Sequence, residues 1–199
     1  MKRLIRIVAV SLAVALTVSS CATYSPSQGW VTLIDGEAGL DNFTRIGGAN
    51  WRAEGGAIVA DKSTTKGASV LVSKRTFKDF ELYAEFWADH DTNSGLYIRC
   101  TDQSKVSSAS AYEAQIWDRN PNAAMSTGAL LPMSSVPPIY KAGGRWNTYE
   151  IHAKGPQITI KLNGVVTVHV EDGRYPAGAI GLQQNAGVIK WRKLLVREL

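Results

Sequence analysis

From Phe80 to Trp87 the chain alternates strictly: Phe80, Leu82, Ala84 and Phe86 are apolar, and Glu81, Tyr83, Glu85 and Trp87 between them are charged or amphipathic. Successive side chains of a strand point to opposite faces, so a period of two over eight residues specifies a half-buried strand and excludes a helix. Such a strand cannot bury its apolar face alone; it needs neighbours in a sheet and a second layer beneath. The rest of the chain supplies them. WVTLIDG reads as a strand and turn, NWRAEGGAIVA as two short strands around Gly55-Gly56, and Val70 to Ser73 as another. Trp146 to Ala153 resumes strand character with Tyr149 and Ile151 inward. ITIKLNGVVTVHV is a hairpin around Asn163-Gly164, a pair that tolerates the positive φ such turns need. AIGLQQN and VIKWRKLLVREL close the series, and a change of apolar parity between Trp191 and Leu194 predicts a β-bulge. Pro121 to Pro138 holds four prolines and reads as a long loop. Many short strands between Gly, Pro and Asn turns, with no helical period after the first twenty residues, predict an all-β fold, an antiparallel β-sandwich in one domain.

Chemistry concentrates in two further strand-like runs, SGLYIRC (Ser94 to Cys100) and AYEAQIWD (Ala111 to Asp118). Leu96 and Ile98, like Tyr112, Ala114 and Ile116, fall on the apolar face. Alternation then predicts that Tyr97, Arg99, Glu113, Gln115 and Trp117 share the other, concave face. An acid, a guanidinium, an amide and two aromatic rings suit a sugar-binding or sugar-cleaving surface. Glu113 is the acid/base candidate, because a partly aromatic face near Arg99 can tune its proton affinity. The bland alternative is a solvated Glu113–Arg99 salt bridge. Glu85 either completes a carboxylate pair or neutralises Arg99. Asn93 contacts a ligand or caps its turn; Asp118, which ends the second run, and Gln183, which follows inward-facing residues toward the same surface, are further substrate-binding candidates. Asp89, His90 and Asp91 lack a recognisable calcium-loop motif, so no metal is expected there. Patterns for a serine nucleophile elbow, a zinc-binding helix, a phosphate loop or a dinucleotide are absent, and no cofactor is expected.

The first twenty residues have a separate logic. Lys2, Arg3 and Arg6 precede a largely apolar run of 12 residues, Ile7 to Val18, and then Ser19-Ser20-Cys21. This pattern is a lipoprotein-type signal peptide (1–20), with Cys21 as the lipidated first residue of a tether (21–29) and the domain over 30–199. Ala22 after the cysteine resembles outer-membrane sorting, on a periplasmic or surface face. Processing removes three of 22 basic residues and no acids, leaving 19 against 17 and 179 residues, enough for a real core. With basic residues scattered, nucleic acid is not an expected partner. Cys100 is then a lone cysteine and reads as structural.

The order of the segments resembles the 3-keto-disaccharide hydrolase family. WVTLIDG, WRAEGGAIV, DFELYAEFWADHDTNSGLYIRC, AYEAQIWD, TGALL, GRWNTYEIHAKG, ITIKLNGV and AIGLQQNAGVIKWRKLLVREL carry the likeness from Trp30 to Leu199. The resemblance implies a concanavalin A-like jelly roll, a carbohydrate substrate, and cleavage of glycosides oxidised at C3. Glu113 would then act as base, Arg99 or Gln115 would stabilise negative charge, and Tyr97 and Trp117 would stack on the sugar. A non-catalytic carbohydrate-binding module and a purely structural envelope lipoprotein are the alternatives on the same fold.

The signal reading carries its own test. A Cys21→Ser variant is expected to lose metabolic lipid labelling and to leave the detergent phase on phase partitioning; persistent labelling would refute the lipidation site.

Overall fold

The computed structural model describes residues 29–133 and 140–199. The signal segment, Cys21 and most of the tether lie outside the described residues, as does part of the proline-bearing loop. Fourteen strands are described: β1 (Val31–Asp35), β2 (Phe43–Ile46), β3 (Arg52–Glu54), β4 (Ala57–Ala60), β5 (Ser69–Phe77), β6 (Phe80–Ala88), β7 (Ser94–Cys100), β8 (Tyr112–Ile116), β9 (Leu130–Leu131), β10 (Trp146–Lys154), β11 (Gln157–Leu162), β12 (Val165–Glu171), β13 (Gly178–Gln184) and β14 (Ile189–Glu198). They form an eight-stranded sheet in the order β12-β11-β10-β6-β14-β4-β3, with β1 also on β14, and a six-stranded sheet in the order β2-β5-β13-β7-β8-β9. All strand pairings are antiparallel. The two sheets stack as a sandwich, the class that period-two patterning requires.

The alternation of β6 places Phe80, Leu82, Ala84 and Phe86 inside, all essentially without exposure. Phe86 stacks on Tyr149 with ring centroids 5.1 Å apart and tilts against Trp191 at 5.6 Å. From the six-stranded sheet Leu96, Ile98, Tyr112, Ala114, Ile116, Ile180 and Leu182 meet them. Two polar tethers cross this layer. The Tyr149 hydroxyl donates to the Gln115 carbonyl at 2.6 Å and accepts from the Gly128 amide at 3.1 Å, fixing the end of β8 to β10. The Tyr112 hydroxyl bonds Asp172 and accepts from the Tyr175 amide at 3.1 Å.

Both predicted turn devices are present. Asn163 and Gly164 have φ of 51° and 80° between β11 and β12. The bulge of β14 falls between Trp191 and Lys193; residues before it pair with β4 and residues after it with β1. Strands β2 and β9 were not legible in the sequence, and β5 runs beyond Ser73 to Phe77. β9 is two residues inside the loop read from its prolines, and the length of β5 is set by pairing with β2 and β13, which local sequence does not encode.

The alternation of β7 breaks at Arg99. Ala179 opposes Cys100 while Gly181 opposes Tyr97, so three steps on β7 match two on β13 and β7 carries the extra residue of a bulge. Arg99 has φ of 54° and a side chain with no exposure. Its guanidinium donates to the carbonyls of Lys78 at 2.9 Å, Gly155 at 2.8 Å and Tyr175 at 3.4 Å, and to Asp79 Oδ1 at 3.3 Å. The expectation that Arg99 faces the candidate site beside Glu113 is therefore corrected: the bulge rotates it away, and it fastens three loops to the end of β7.

Truncating Arg99 empties a fully buried site and removes the donor shared by three loop carbonyls and Asp79, which keeps only its bond from the Gly155 amide. Arg99→Ala is expected to cost about 3–5 kcal/mol in urea unfolding, the range for breaking a buried charged network. Arg75→Ala, which removes an exposed pair with Glu198, is expected to change stability by less than about 1 kcal/mol.

Candidate functional site

Glu113 and Tyr97 are direct cross-strand partners, as are Gln115 and Gly95. On the other side of β7, Gly181 opposes Tyr97, and on β13 Gln183 lies two residues further along the same face. This face is opposite to Leu96, Ile98, Ala114 and Ile116, which lie in the main core as alternation predicts. Three polar groups meet on it. Gln183 Nε2 donates to the Tyr97 hydroxyl at 2.7 Å, and both polar groups favour the charged form of the neighbouring Glu113. Val70, Val72, Ala111, Ala179 and Cys100 form an apolar patch around Tyr97.

A glycine makes this convergence sterically feasible. A Cβ on Gly95 would lie 2.4 Å from Glu113 Oε1, so the carboxyl rests over bare backbone of β7. Glycine inside a strand commonly marks such a close approach, and this was the readable signal that sequence reasoning passed over.

Burial dominates the electrostatics. Glu113 is 5% exposed and its carboxyl is pushed up to about 7, because loss of water outweighs the two hydrogen bonds that favour the charged form. The Tyr97 phenol is raised first by burial and then by Glu113. Burial also pushes the Cys100 thiol up to about 12, which makes it inert as a nucleophile.

The other candidates separate. Gln115 lies on the same face, but its Oε1 accepts from the Ile116 amide at 3.2 Å, folded on its own backbone. Trp117 is one residue past β8 and partly buried. Asp118, expected to bind substrate, is instead a loop anchor: its carboxylate accepts from Thr127 Oγ1 at 2.6 Å, Ala142 N at 3.0 Å and Gly143 N at 2.9 Å. Asn93 is held through its backbone by Asn185 and Ala186, each donating to its carbonyl, at 3.0 and 3.1 Å.

Glu85 is the larger correction. β6 and β7 are consecutive in sequence but belong to different sheets, so Glu85 faces outward from the eight-stranded sheet, across the sandwich from Glu113. There it accepts from Tyr83 at 2.9 Å and pairs with Arg192, whose guanidinium lies 4.2 Å from the centroid of the Trp146 ring. The crossing turn is tied by Asp89, which accepts from Asp91 N, Thr92 Oγ1 and Val188 N. Among the described residues no three His, Cys, Asp or Glu side chains gather as a metal site.

A cavity of about 500 Å³ lies on the outer face of the eight-stranded sheet, with Trp30, Glu81, His152 and Arg197 in its wall. Glu81 there is neutralised by Arg197. The buried Glu113 carboxyl with its raised proton affinity sits on the other sheet, and its chemistry makes that face the candidate site.

Comparison with known proteins gives the family and the fold. Residues 29–197 match the family model described as the 3-keto-alpha-glucoside-1,2-lyase-like domain. No curated protein matches the chain. Among solved structures, a Parabacteroides distasonis protein provisionally assigned as a glycosyl hydrolase superposes with a TM-score of 0.75 at 16% identity, over 87% of this chain and 96% of that one. A second such protein from the same organism gives 0.65 at 22% identity, over 85% and 99%. The carbohydrate-binding module CBM66 of Bacillus subtilis gives 0.55 at 16% identity, over 85% and 96%. At these identities the likeness establishes the jelly-roll fold.

The shifted carboxyl has a stability consequence. Its folded-state proton affinity is raised, so its contribution is fully present below the unfolded value of 4.5 and lost as pH rises through about 7. Glu113→Gln removes the charge that burial opposes. It is expected to raise stability at pH 8 by up to about 3 kcal/mol, and to bring no comparable gain at pH 4, when both are followed by thermal unfolding.

Proposed function

Because this chain belongs to the 3-keto-alpha-glucoside-1,2-lyase-like family, we propose that it cleaves the glycosidic bond of a sugar carrying a ketone at C3, with Glu113 as the base. The observation that carries this reading is the Glu113 carboxyl, the one acid buried among the described residues. It rests over the bare backbone of Gly95 beside Tyr97, where burial pushes its proton affinity up to about 7. Ordinary glycosidases work with two carboxyls flanking the bond. Here the other two carboxylates considered, Glu85 and Asp118, are on the opposite sheet and committed to loop amides respectively. Elimination asks for one base only.

A C3 ketone acidifies the hydrogen at C2. Glu113 takes that proton, and the electron pair of the C–H bond moves toward C3 to give an enolate. The enolate then collapses to a C1–C2 double bond, and the C1–oxygen bond breaks. The departing oxygen takes up a proton, and addition of water across the new double bond restores a C2 hydrogen and completes net hydrolysis. With Arg99 turned inward, the donor near the reacting centre is the Tyr97 hydroxyl. While Glu113 is ionised, Tyr97 donates to it; once Glu113 holds the proton, that donor is released to the enolate oxygen, where charge has just appeared. The signal peptide and Cys21 support a lipid-anchored domain in the cell envelope.

The reading is tested by incubating the protein with 3-keto-glucosides. Turnover is expected, with kcat/KM rising through about pH 7 as Glu113 ionises. Glu113→Gln should lower it by at least about 10²-fold, the lower range for a positioned base. A substrate deuterated at C2 should lose label to solvent or show a primary isotope effect. Full retention of deuterium would exclude elimination, and glycan binding without turnover would select the carbohydrate-binding alternative.

A further inference from the structure

The cavity of about 500 Å³ on the outer face of the eight-stranded sheet has no part in the chemistry of Glu113. Strand register explains how it is furnished. Direct cross-strand pairing lines up Arg197 of β14, Glu81 of β6, His152 of β10 and Thr159 of β11 in one row across the sheet. In the next row Glu150 of β10 stands opposite Lys161 of β11. Their strand neighbours Leu82, Val196, Ile151 and Ile160 lie in the core, so the residues of both rows rise from the outer face. Trp30 precedes Val31, which pairs with Val196, and so closes the end of the first row; the Arg197 guanidinium lies 5.1 Å from the centroid of its ring. Solvent reaches the row, because the side chains of Glu81, Arg197 and His152 are 32%, 36% and 46% exposed.

Hydrogen-bonding capacity is left over along this row. Arg197 directs Nε and Nη2 at a single oxygen of Glu81, Oε2. The other oxygen, Oε1, faces His152 Nδ1 at 3.6 Å, too long for a hydrogen bond. One hydroxyl group bridges such a pair, accepting from one side and donating to the other. Charge then selects the class of ligand. The wall holds two carboxylates, Glu81 and Glu150, and two permanent cations, Arg197 and Lys161. An anion would be repelled by the first pair and a cation by the second. A neutral ligand rich in hydroxyls meets acceptors and donors in alternation, beside an indole. We infer that this cavity is a second carbohydrate site, across the sandwich from Glu113, and that it takes a neutral oligosaccharide. From β14 to β11 is three strand spacings, about 14 Å, which accommodates more than one sugar ring. With Glu81 held by Arg197, the site binds sugar and does not cleave it. The inference stands on this face alone and uses nothing of the elimination chemistry.

The test titrates cellotriose, maltotriose and mannotriose, with trigalacturonate as the anionic control, into the full chain. Calorimetry gives affinities, and amide NMR shifts locate the bound sugar. At least one neutral trisaccharide is expected to bind, to shift amides of β6, β10 and β11, and to outcompete trigalacturonate. His152→Ala and Arg197→Met, both at solvent-exposed positions, should each weaken that binding by about 3–10-fold, the range for one lost hydrogen bond. Thermal unfolding confirms that the variants are folded, and His152→Ala carries the test if Arg197→Met is not. Failure of every neutral trisaccharide to bind would overturn the inference, as would tighter binding of trigalacturonate or wild-type affinity in folded variants. Shifts confined to β7, β8 and β13 would also overturn it, while leaving the proposed role of Glu113 standing. Conversely, absence of turnover on 3-keto-glucosides removes that role and leaves binding on the outer face as measured.

Discussion

The Tyr149 hydroxyl spans the sandwich and holds the site sheet to its support. The ring belongs to β10 in the eight-stranded sheet and stacks on Phe86, while the hydroxyl bonds the Gln115 carbonyl and the Gly128 amide beside β8 in the other sheet. Apolar packing between sheets is non-directional and would tolerate sliding. A buried hydroxyl with two partners is not, since displacement leaves polar groups unmatched in a dry layer. Glu113 lies two residues before Gln115, so the position of the candidate base is referred to the opposite sheet through this contact. Arg99 does the same work at the far end of β7, where its guanidinium gathers three loops.

Between these fixed ends the site has an economical design. A glycine removes the side chain that would occupy the space above β7, and the carboxyl from β8 takes its place. Apolar neighbours strip it of water, and two donors from β7 and β13 keep the charged form accessible. Desolvation alone would leave the group protonated through neutral pH; the two hydrogen bonds alone would leave it a weak base. Their opposition sets the proton affinity at about 7, where a base works well at ordinary pH.

The likeness to solved jelly-roll proteins establishes the frame on which this site is built, and the frame is shared by proteins assigned to cleaving sugars and by one that binds them. The distinction lies in side chains on one face of one sheet. A carboxyl whose burial opposes its charge is the feature of that face that proton abstraction would use, and it is the reason the catalytic reading is proposed.

The strands that period-two patterning marked most strongly, β6, β7 and β8, were legible because each carries one apolar face, and that face must turn inward. The hairpin at Asn163-Gly164 and the bulge of β14 were legible for equally local reasons, positive φ and a change of parity. Alternation also placed Tyr97 and Glu113 together, because direct pairing of β7 with β8 preserves parity. Tertiary structure decided the rest. Arg99 obeys the same alternation on paper, but an extra residue opposite β13 turns it inward, and no property of SGLYIRC announces that partner. Glu85 sits on the clearest strand of the chain, yet the turn through Asp89 carries the chain across the core, so two neighbours in sequence became the two faces of a sandwich. Asp118 looked like part of the site until the loop amides of Ala142 and Gly143 claimed it. A strand's faces are a property of its own residues; the partner it meets on each edge is a property of the whole chain.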